Sequence, residues 1–176
     1  MDEKPAYTID TSALNRYLWL TIDSGGDAIK ERRDEMKRRL GETVCKETCA
    51  KLEELMASGR VISHNEVRDE IRNARSTAWN RWVLNNRKAF KGGAIDELSK
   101  ILNTIAEQDS DFLAEEKPGR AKHADPWILA QAIHFKLTII AEDANFKKIA
   151  DKYNVTVISI FDLLKNEKSV RPGLFD

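Results

Sequence analysis

The positions of hydrophobic residues along the chain predict alternating strands and helices. Short apolar runs bounded by turn-forming residues are typical of strands, whereas apolar residues three or four positions apart predict amphipathic helices. Four runs predict strands, at residues 7–10, 60–63, 137–140 and 155–158. Because helical patterns separate these runs, we expect a parallel sheet with right-handed crossover connections.

The helical patterns are longest between residues 27 and 108, where they predict a helical lobe added to the sheet. In the last third, Asp125 is expected to cap a helix, with Pro126 at the first helical position. Residues 109–122 are expected to form an irregular connection. The pattern predicts one α/β domain over residues 1–176, with a small central sheet of about four strands.

Composition and charge narrow the range of functions. The chain has 29 Lys and Arg against 29 Asp and Glu, giving a formal net charge of zero over 176 residues. Bulk positive charge therefore cannot hold nucleic acid, although an acidic metal centre with a basic rim is compatible with this balance. Neither a membrane helix nor a secretory signal is evident, so we expect a soluble, cytoplasmic protein. Cys45 and Cys49 lack zinc-site partners and are expected to be reduced residues on one helix face.

Acidic residues follow the predicted strands, at the edge where parallel sheets carry their working sites. They come from the end of the first strand, the helix after the second strand, and the segments on either side of the third. The two on the helix are one turn apart and share a face. The candidates are Asp10, Glu66, Glu70, Asp125, Glu142 and Asp143.

Joint placement of these carboxylates favours a metal site. Clustered carboxylates repel one another, and their pKa values rise unless a cation compensates. Oxygen-only clusters suit Mg²⁺ or Mn²⁺, which can activate a water and stabilise the leaving oxygen of a phosphodiester. The alternative for each residue is structural. Asp10 and Asp125 could cap helices, Asp143 could be a turn residue beside an exposed Glu142, and one of the two helix glutamates could be solvated.

Four acidic segments occur in a characteristic order along the chain. They are residues 9–14 (IDTSAL), 67–71 (VRDEI), 124–130 (ADPWILA) and 140–146 (IAEDANF). These segments resemble the four acidic motifs of the PIN-domain (PilT N-terminus-like) ribonuclease family, and the resemblance extends from Tyr7 to about Leu164. The Asp-Pro-Trp sequence is similar to that of a subgroup that includes VapC-type toxins of toxin–antitoxin systems.

The resemblance implies a PIN-like three-layer α/β/α fold and a Mg²⁺- or Mn²⁺-dependent endoribonuclease acting on single-stranded or structured RNA. Thr11 or Ser12 would support the first carboxylate or a metal-bound water. It also implies a homodimer, and a cognate antitoxin if the protein is a toxin. The implied metal-binding and catalytic acids are Asp10, Glu70, Asp125 and Asp143.

The fourth motif departs from the family pattern. Ala141 stands where Thr or Ser is usual, and Asn145 stands where a second acid often follows. Glu142 or Asn145 would then support this corner of the site. In the second motif, Glu66 is a rival to Glu70, although the Val-x-x-Glu-Ile pattern favours Glu70.

Basic and aromatic residues suggest where RNA could bind. Lys117, Arg120 and Lys122 precede Asp125 and are expected to hold substrate phosphates without reading sequence. The basic helix at residues 30–39 is expected to be solvated, with contact to an antitoxin or to RNA as the alternative. In addition, Trp79 and Trp82 recur at helical spacing and are expected to pack in the core or in a partner interface.

Other α/β enzymes fit less well. A haloacid-dehalogenase-type phosphatase needs a second Asp where Ser12 stands, and a response-regulator receiver needs a Lys at the end of a late strand. Two alternatives to a toxin nuclease remain open. One is a housekeeping RNA-processing nuclease, and the other is a non-catalytic PIN-like binding or regulatory module.

Overall fold

The helices and strands of this protein come from a computed structural model that describes residues 4–22, 26–73, 76–92, 95–110, 112, 116–117, 120–121 and 124–170. The strands are β1 (Tyr7–Ile9), β2 (Val61–Ile62), β3 (Glu116–Lys117), β4 (Arg120–Ala121), β5 (Thr138–Ile140) and β6 (Val157–Ile158). The helices are α1 (Thr11–Thr21), α2 (Asp27–Leu40), α3 (Glu42–Ala57), α4 (Asn65–Asn73), α5 (Thr77–Asn85), α6 (Ile95–Gln108), α7 (Ala124–Phe135), α8 (Ala144–Lys152) and α9 (Leu163–Val170). Two 3₁₀ turns, Arg87–Ala89 and Ile160–Asp162, complete the regular structure of the described residues.

A four-stranded parallel sheet in the order β2-β1-β5-β6 forms the centre of the fold. Tyr7 of β1 lies opposite Val61 on one side and Thr138 on the other, and Ile139 lies opposite Val157. Helices cover the sheet on both faces, so the predicted three-layer α/β/α class is confirmed. All four predicted strands are present, each one or two residues shorter than its apolar run.

The central strand β1 is buried over its whole length, which explains its apolar character. Ile9 has no solvent exposure, and the hydroxyl of Thr8 donates a 2.7 Å hydrogen bond to Gln131 Oε1 of α7. A strand buried on both faces needs side chains that pack or that find an internal partner. Helix α7, whose Ile128 and Leu129 are fully buried, packs against β1, β5 and α6.

A buried ion pair fixes the C-terminal helix at the amino end of the sheet. Glu167 of α9 accepts hydrogen bonds from Arg60 Nη1 and Nη2, at 2.5 and 2.9 Å, and from the hydroxyl of Tyr7 at 2.6 Å. The two Arg60 bonds form the bidentate arrangement that is strongest for a guanidinium and a carboxylate. This network lies at the opposite end of the strands from the predicted acidic site.

Some local predictions need correction. Helix α7 already includes Ala124, so Asp125 lies in its first turn and the prediction that it caps the helix is wrong by about two residues. Residues 109–122 are not wholly irregular, because β3 and β4 pair as a short antiparallel hairpin. Trp79 is buried and Trp82 packs partly buried against the core, as predicted.

The described helices do not include one with the length and apolar character needed to cross a membrane.

Candidate functional site

The candidate site lies where the order of the strands reverses. The chain passes from β1 to β2 on one side of the sheet and from β5 to β6 on the other, so β1 and β5 flank a topological switch point. Ligands of open α/β sheets bind in the crevice beyond the carboxyl ends of the strands at such a point. Asp10 directly follows β1, and Glu142 comes two residues after β5.

Asp10 is a buried carboxylate held by short local hydrogen bonds. It caps α1 by accepting from the Ala13 N–H at 2.9 Å, and the Ser12 hydroxyl lies 2.8 and 2.9 Å from its two oxygens. Ser12 Oγ also accepts from the Glu142 N–H at 2.9 Å. Through this hydroxyl, Ser12 connects the first acidic segment to the loop that follows β5.

Burial and neighbouring carboxylates make the charged form of Asp10 costly. Burial and the charges of Asp125 and Glu142 raise the pKa of Asp10, the hydrogen bonds from Ala13 and Ser12 oppose the rise, and the resulting pKa is about 8. Asp125 is itself buried, at 9% exposure. A carboxyl in such surroundings carries its charge cheaply only when a cation offsets it.

Glu70 joins two other parts of the predicted site. One of its oxygens accepts a close hydrogen bond from the Thr11 hydroxyl, and the other accepts from the Ala124 N–H at 3.0 Å. Glu70 therefore contacts the residue that follows Asp10 and the residue that precedes Asp125. Glu66 lies one turn earlier on α4 and is half-buried.

His64 and Trp127 pack together beside these segments. Their rings stack with centroids 4.8 Å apart and planes 9° from parallel, which links the start of α4 to the first turn of α7. Burial and the charge of Arg68 together lower the pKa of His64 to about 4, although the charge of Asp69 opposes them. The neutral imidazole accepts a 3.2 Å hydrogen bond from the Glu66 N–H through Nδ1.

Glu142 is more involved in the site than its predicted supporting role required. Its Oε1 accepts from the Ser159 hydroxyl and the Ile160 N–H, both at 2.8 Å. Its Oε2 lies 3.4 Å from Nε of Arg16. Glu142 therefore contributes negative charge near Asp10 while being held in place by α1 and by the segment after β6.

Asp143 lies at the start of α8. Its Oδ1 caps α8 by accepting from the Asn145 N–H at 2.8 Å and from the Phe146 N–H at 3.3 Å. Asn145 itself is exposed. The structure brings Asp10, Asp125 and Glu142 close enough for their charges to interact.

A hard cation at this site would be held by few carboxylates and would keep most of its water. In the described part of the chain, no three or more acidic, His or Cys side chains are grouped closely enough to hold a metal ion. Mg²⁺ is usually held by only one or two carboxylates, together with waters and substrate phosphates. Asp10, with its raised pKa, and the adjacent Asp125 fit that pattern.

The predicted phosphate-binding residues fall largely outside the described residues. Lys122 is not described, and of Lys117 and Arg120 only the backbone is, paired across the hairpin of β3 and β4. Two residues at the site were not predicted from the sequence. Arg16 lies one helical turn after Ser12 on α1, and Ser159 directly follows β6, so helical spacing and the strand-end rule could have identified them.

The chain belongs to the family described as a domain of unknown function (DUF4411), whose model matches residues 34–170. Glu70, Asp125 and Glu142 lie within this range, whereas Asp10 and Ser12 precede it. No curated protein and no solved structure matches the chain.

Proposed function

We propose that this protein is a Mg²⁺- or Mn²⁺-dependent endoribonuclease that hydrolyses phosphodiester bonds in RNA. The observation that carries the proposal is the position of Asp10, a buried carboxylate at the switch point of a parallel sheet with Asp125 and Glu142 acting on its charge. Such an arrangement is costly for stability alone, and perturbed carboxylates in a crevice favour a functional site. The order of the four acidic segments supports the same proposal.

The residues of the chain would have separate roles. Asp10 and Asp125 would hold the metal ion, which supplies charge neutralisation for the phosphate and a more acidic bound water. Ser12 fixes the orientation of the Asp10 carboxylate through its hydroxyl, and Thr11 fixes Glu70 in the same way. Glu70, one turn from the rival Glu66, would complete the acidic wall of the site. Asp143 remains a fourth proposed acid, although its cap of α8 occupies one oxygen.

The biological setting that the sequence favours is the toxin of a toxin–antitoxin pair, acting as a homodimer with a cognate antitoxin in the cytoplasm. A housekeeping RNA-processing nuclease has the same chemistry and is the second candidate. A small DNA-binding antitoxin gene beside this gene would favour the toxin. RNA cleavage by the purified protein would distinguish either nuclease from a non-catalytic PIN-like module.

The test is RNA cleavage by purified protein with Mg²⁺, with Mn²⁺ and with EDTA. We expect cleavage with either metal, none with EDTA, and loss of at least about a hundredfold in Asp10→Asn, because one metal-binding group is removed. Asp151→Asn is the matched control, since Asp151 is an exposed acid on α8. Cleavage by Asp10→Asn equal to that by the control would refute the proposal.

A further inference from the structure

A basic cleft lies between α1 and α2, next to the acidic site. Its volume is about 170 Å³, and its lining residues are Arg16, Trp19, Arg32, Glu35, Met36 and Arg39. Three arginines face a single glutamate there, although the chain as a whole has no net charge. This local excess of positive charge favours an anionic ligand.

The cleft is connected to the acidic site by one ion pair. Arg16 lines the cleft and places its Nε 3.4 Å from Glu142 Oε2, and the charge of Glu142 acts on Asp10. A ligand that reaches both places must therefore present negative charge in the cleft and, beside it, a group that approaches the carboxylates. A nucleic-acid strand carries one phosphate per nucleotide, so it can place one phosphate in the cleft and another at the acidic site.

An arginine outside the lining holds the two helices together. Arg33 Nε donates to the Trp19 carbonyl at 2.7 Å, and its Nη2 donates to the Ile22 carbonyl at 3.2 Å. These bonds fix the end of α1 to α2. The shape of the cleft is thus set before a ligand arrives, which reduces the ordering cost of binding.

The remaining arginines are available to a ligand. Arg32 and Arg39 are exposed, and within the described residues neither forms an ion pair with a carboxylate. The Arg32 guanidinium lies 4.9 Å from the centre of the Trp19 ring. Exposed cation–π contacts are weak, so a phosphate can recruit this arginine and a base can stack on it or on the ring.

The size of the cleft helps to define the ligand. Pockets for whole small molecules are usually about 300–1,000 Å³, and this one is smaller and open. It fits one phosphate and part of a nucleotide of a longer strand. The sequence pattern alone predicted that the basic helix would be solvated, and it did not separate the two faces of α2.

We propose that the cleft formed by Arg16, Trp19, Arg32 and Arg39 is a strand-binding subsite that holds a backbone phosphate of single-stranded RNA beside the acidic site. This inference rests on the proposed function for its choice of RNA. The contact is to phosphate and so carries no sequence preference by itself.

The test compares two double variants on one helix, both in the Asp10→Asn background so that RNA is not cleaved. Arg32→Ala with Arg39→Ala removes two charges from the cleft. Lys30→Ala with Arg38→Ala removes two charges from another surface of α2, which Asp27, Glu31 and Asp34 also line. Binding of a fluorescent single-stranded RNA of about 12 nucleotides is measured by anisotropy over a range of salt concentrations.

We expect the cleft variant to bind about tenfold more weakly than the control variant, since two solvent-exposed charge contacts to phosphate are lost. The slope of log K against log salt should fall by about 0.7 for each phosphate contact removed. Arg32→Lys with Arg39→Lys retains the charges and should restore most of the slope. Equal affinities and slopes for the cleft and control variants would overturn the inference.

Two further outcomes separate this inference from the proposed function. Metal-dependent cleavage that is sensitive to Asp10→Asn, together with equal RNA binding by both double variants, would leave the nuclease standing and reject the cleft. Weaker binding by the cleft variant alone, in a protein that never cleaves RNA, would support the cleft and reject the nuclease. Tighter, cleft-dependent binding of a polyglutamate peptide than of RNA would overturn the choice of RNA in favour of an acidic protein partner.

Discussion

Replacing Asp10 with Asn should make the metal-free protein more stable at neutral pH. In the folded protein this carboxyl is buried beside Asp125 and Glu142, whereas in the unfolded chain it is in water. Asn keeps the shape of the side chain and is an equally good helix cap, so the hydrogen bond from the Ala13 N–H can persist. What the substitution removes is the cost of a buried charge.

The size of the effect follows from the two pKa values. A carboxyl with a pKa of about 8 when folded, against an ordinary value of 3.8, lowers the free energy of unfolding by up to about 4 kcal/mol at pH 7. Water penetration and relaxation reduce such penalties, so we expect a gain of about 2 kcal/mol for Asp10→Asn. In a chain of this length that corresponds to a rise in Tm of about 4–8 °C.

The pH dependence gives the sign of the effect. Because the folded pKa is raised, the stability associated with Asp10 is present below pH 4 and is lost as the pH rises through 8. The advantage of Asp10→Asn should therefore vanish near pH 4 and grow toward pH 8. Thermal unfolding in EDTA across this range measures it, with Asp151→Asn as the exposed control.

Addition of Mg²⁺ should reverse the order of the two proteins. The metal should raise the Tm of the wild type by binding only the folded state, and should leave Asp10→Asn nearly unchanged. A difference between the two proteins that does not vary with pH would refute the reasoning. Lower stability of Asp10→Asn at pH 7 without metal would mean that the helix cap outweighs the buried charge.

Two other changes test the acidic wall and the opposite end of the sheet. Glu70→Gln should abolish RNA cleavage while Glu66→Gln leaves a measurable rate, because Glu70 accepts hydrogen bonds from the Thr11 hydroxyl and the Ala124 N–H. The reverse ranking in a cleavage assay would make Glu66 the acid of this motif. Glu167→Gln should lower the free energy of unfolding at pH 7 by about 3 kcal/mol in urea denaturation, since its buried ion-pair partner loses a counter-charge. Burial tends to raise the pKa of Glu167, but hydrogen bonding to Arg60 holds this pKa below its usual range. The difference in stability between Glu167→Gln and the wild type should therefore shrink as the pH falls through that pKa, and it should not depend on Mg²⁺.

The fold was predictable because its strands are buried. The strands β1 and β5 contain only Tyr, Thr and Ile and carry no charged residue, which is typical of a central parallel strand, and both were predicted within one residue. The hairpin of β3 and β4 was not predicted, since two-residue strands with Glu116, Lys117 and Arg120 carry no apolar alternation.

The site was predictable in its location and less so in its partners. The strand-end rule correctly brought Asp10 and Glu142 to one edge of the sheet. It did not show how Glu142 would be held, because the partners of its side chain come from a distant part of the chain. Ser159 supplies a hydroxyl and the following residue an N–H to Glu142, and neither is near Glu142 in sequence.

The distribution of charge around the site explains why a cation would bind at Asp10 in particular. Among the described residues, Arg16 forms an ion pair with the acidic cluster, and its Nε lies 3.4 Å from Glu142 Oε2. Asp10 receives its hydrogen bonds from a neutral hydroxyl and a backbone N–H, which offset burial only in part. Asp10 is therefore the member of the cluster whose charge is costly to maintain, since burial and the charges of Asp125 and Glu142 act on it together. An added cation would relieve that cost, whereas Glu142 already has Arg16 as a partner.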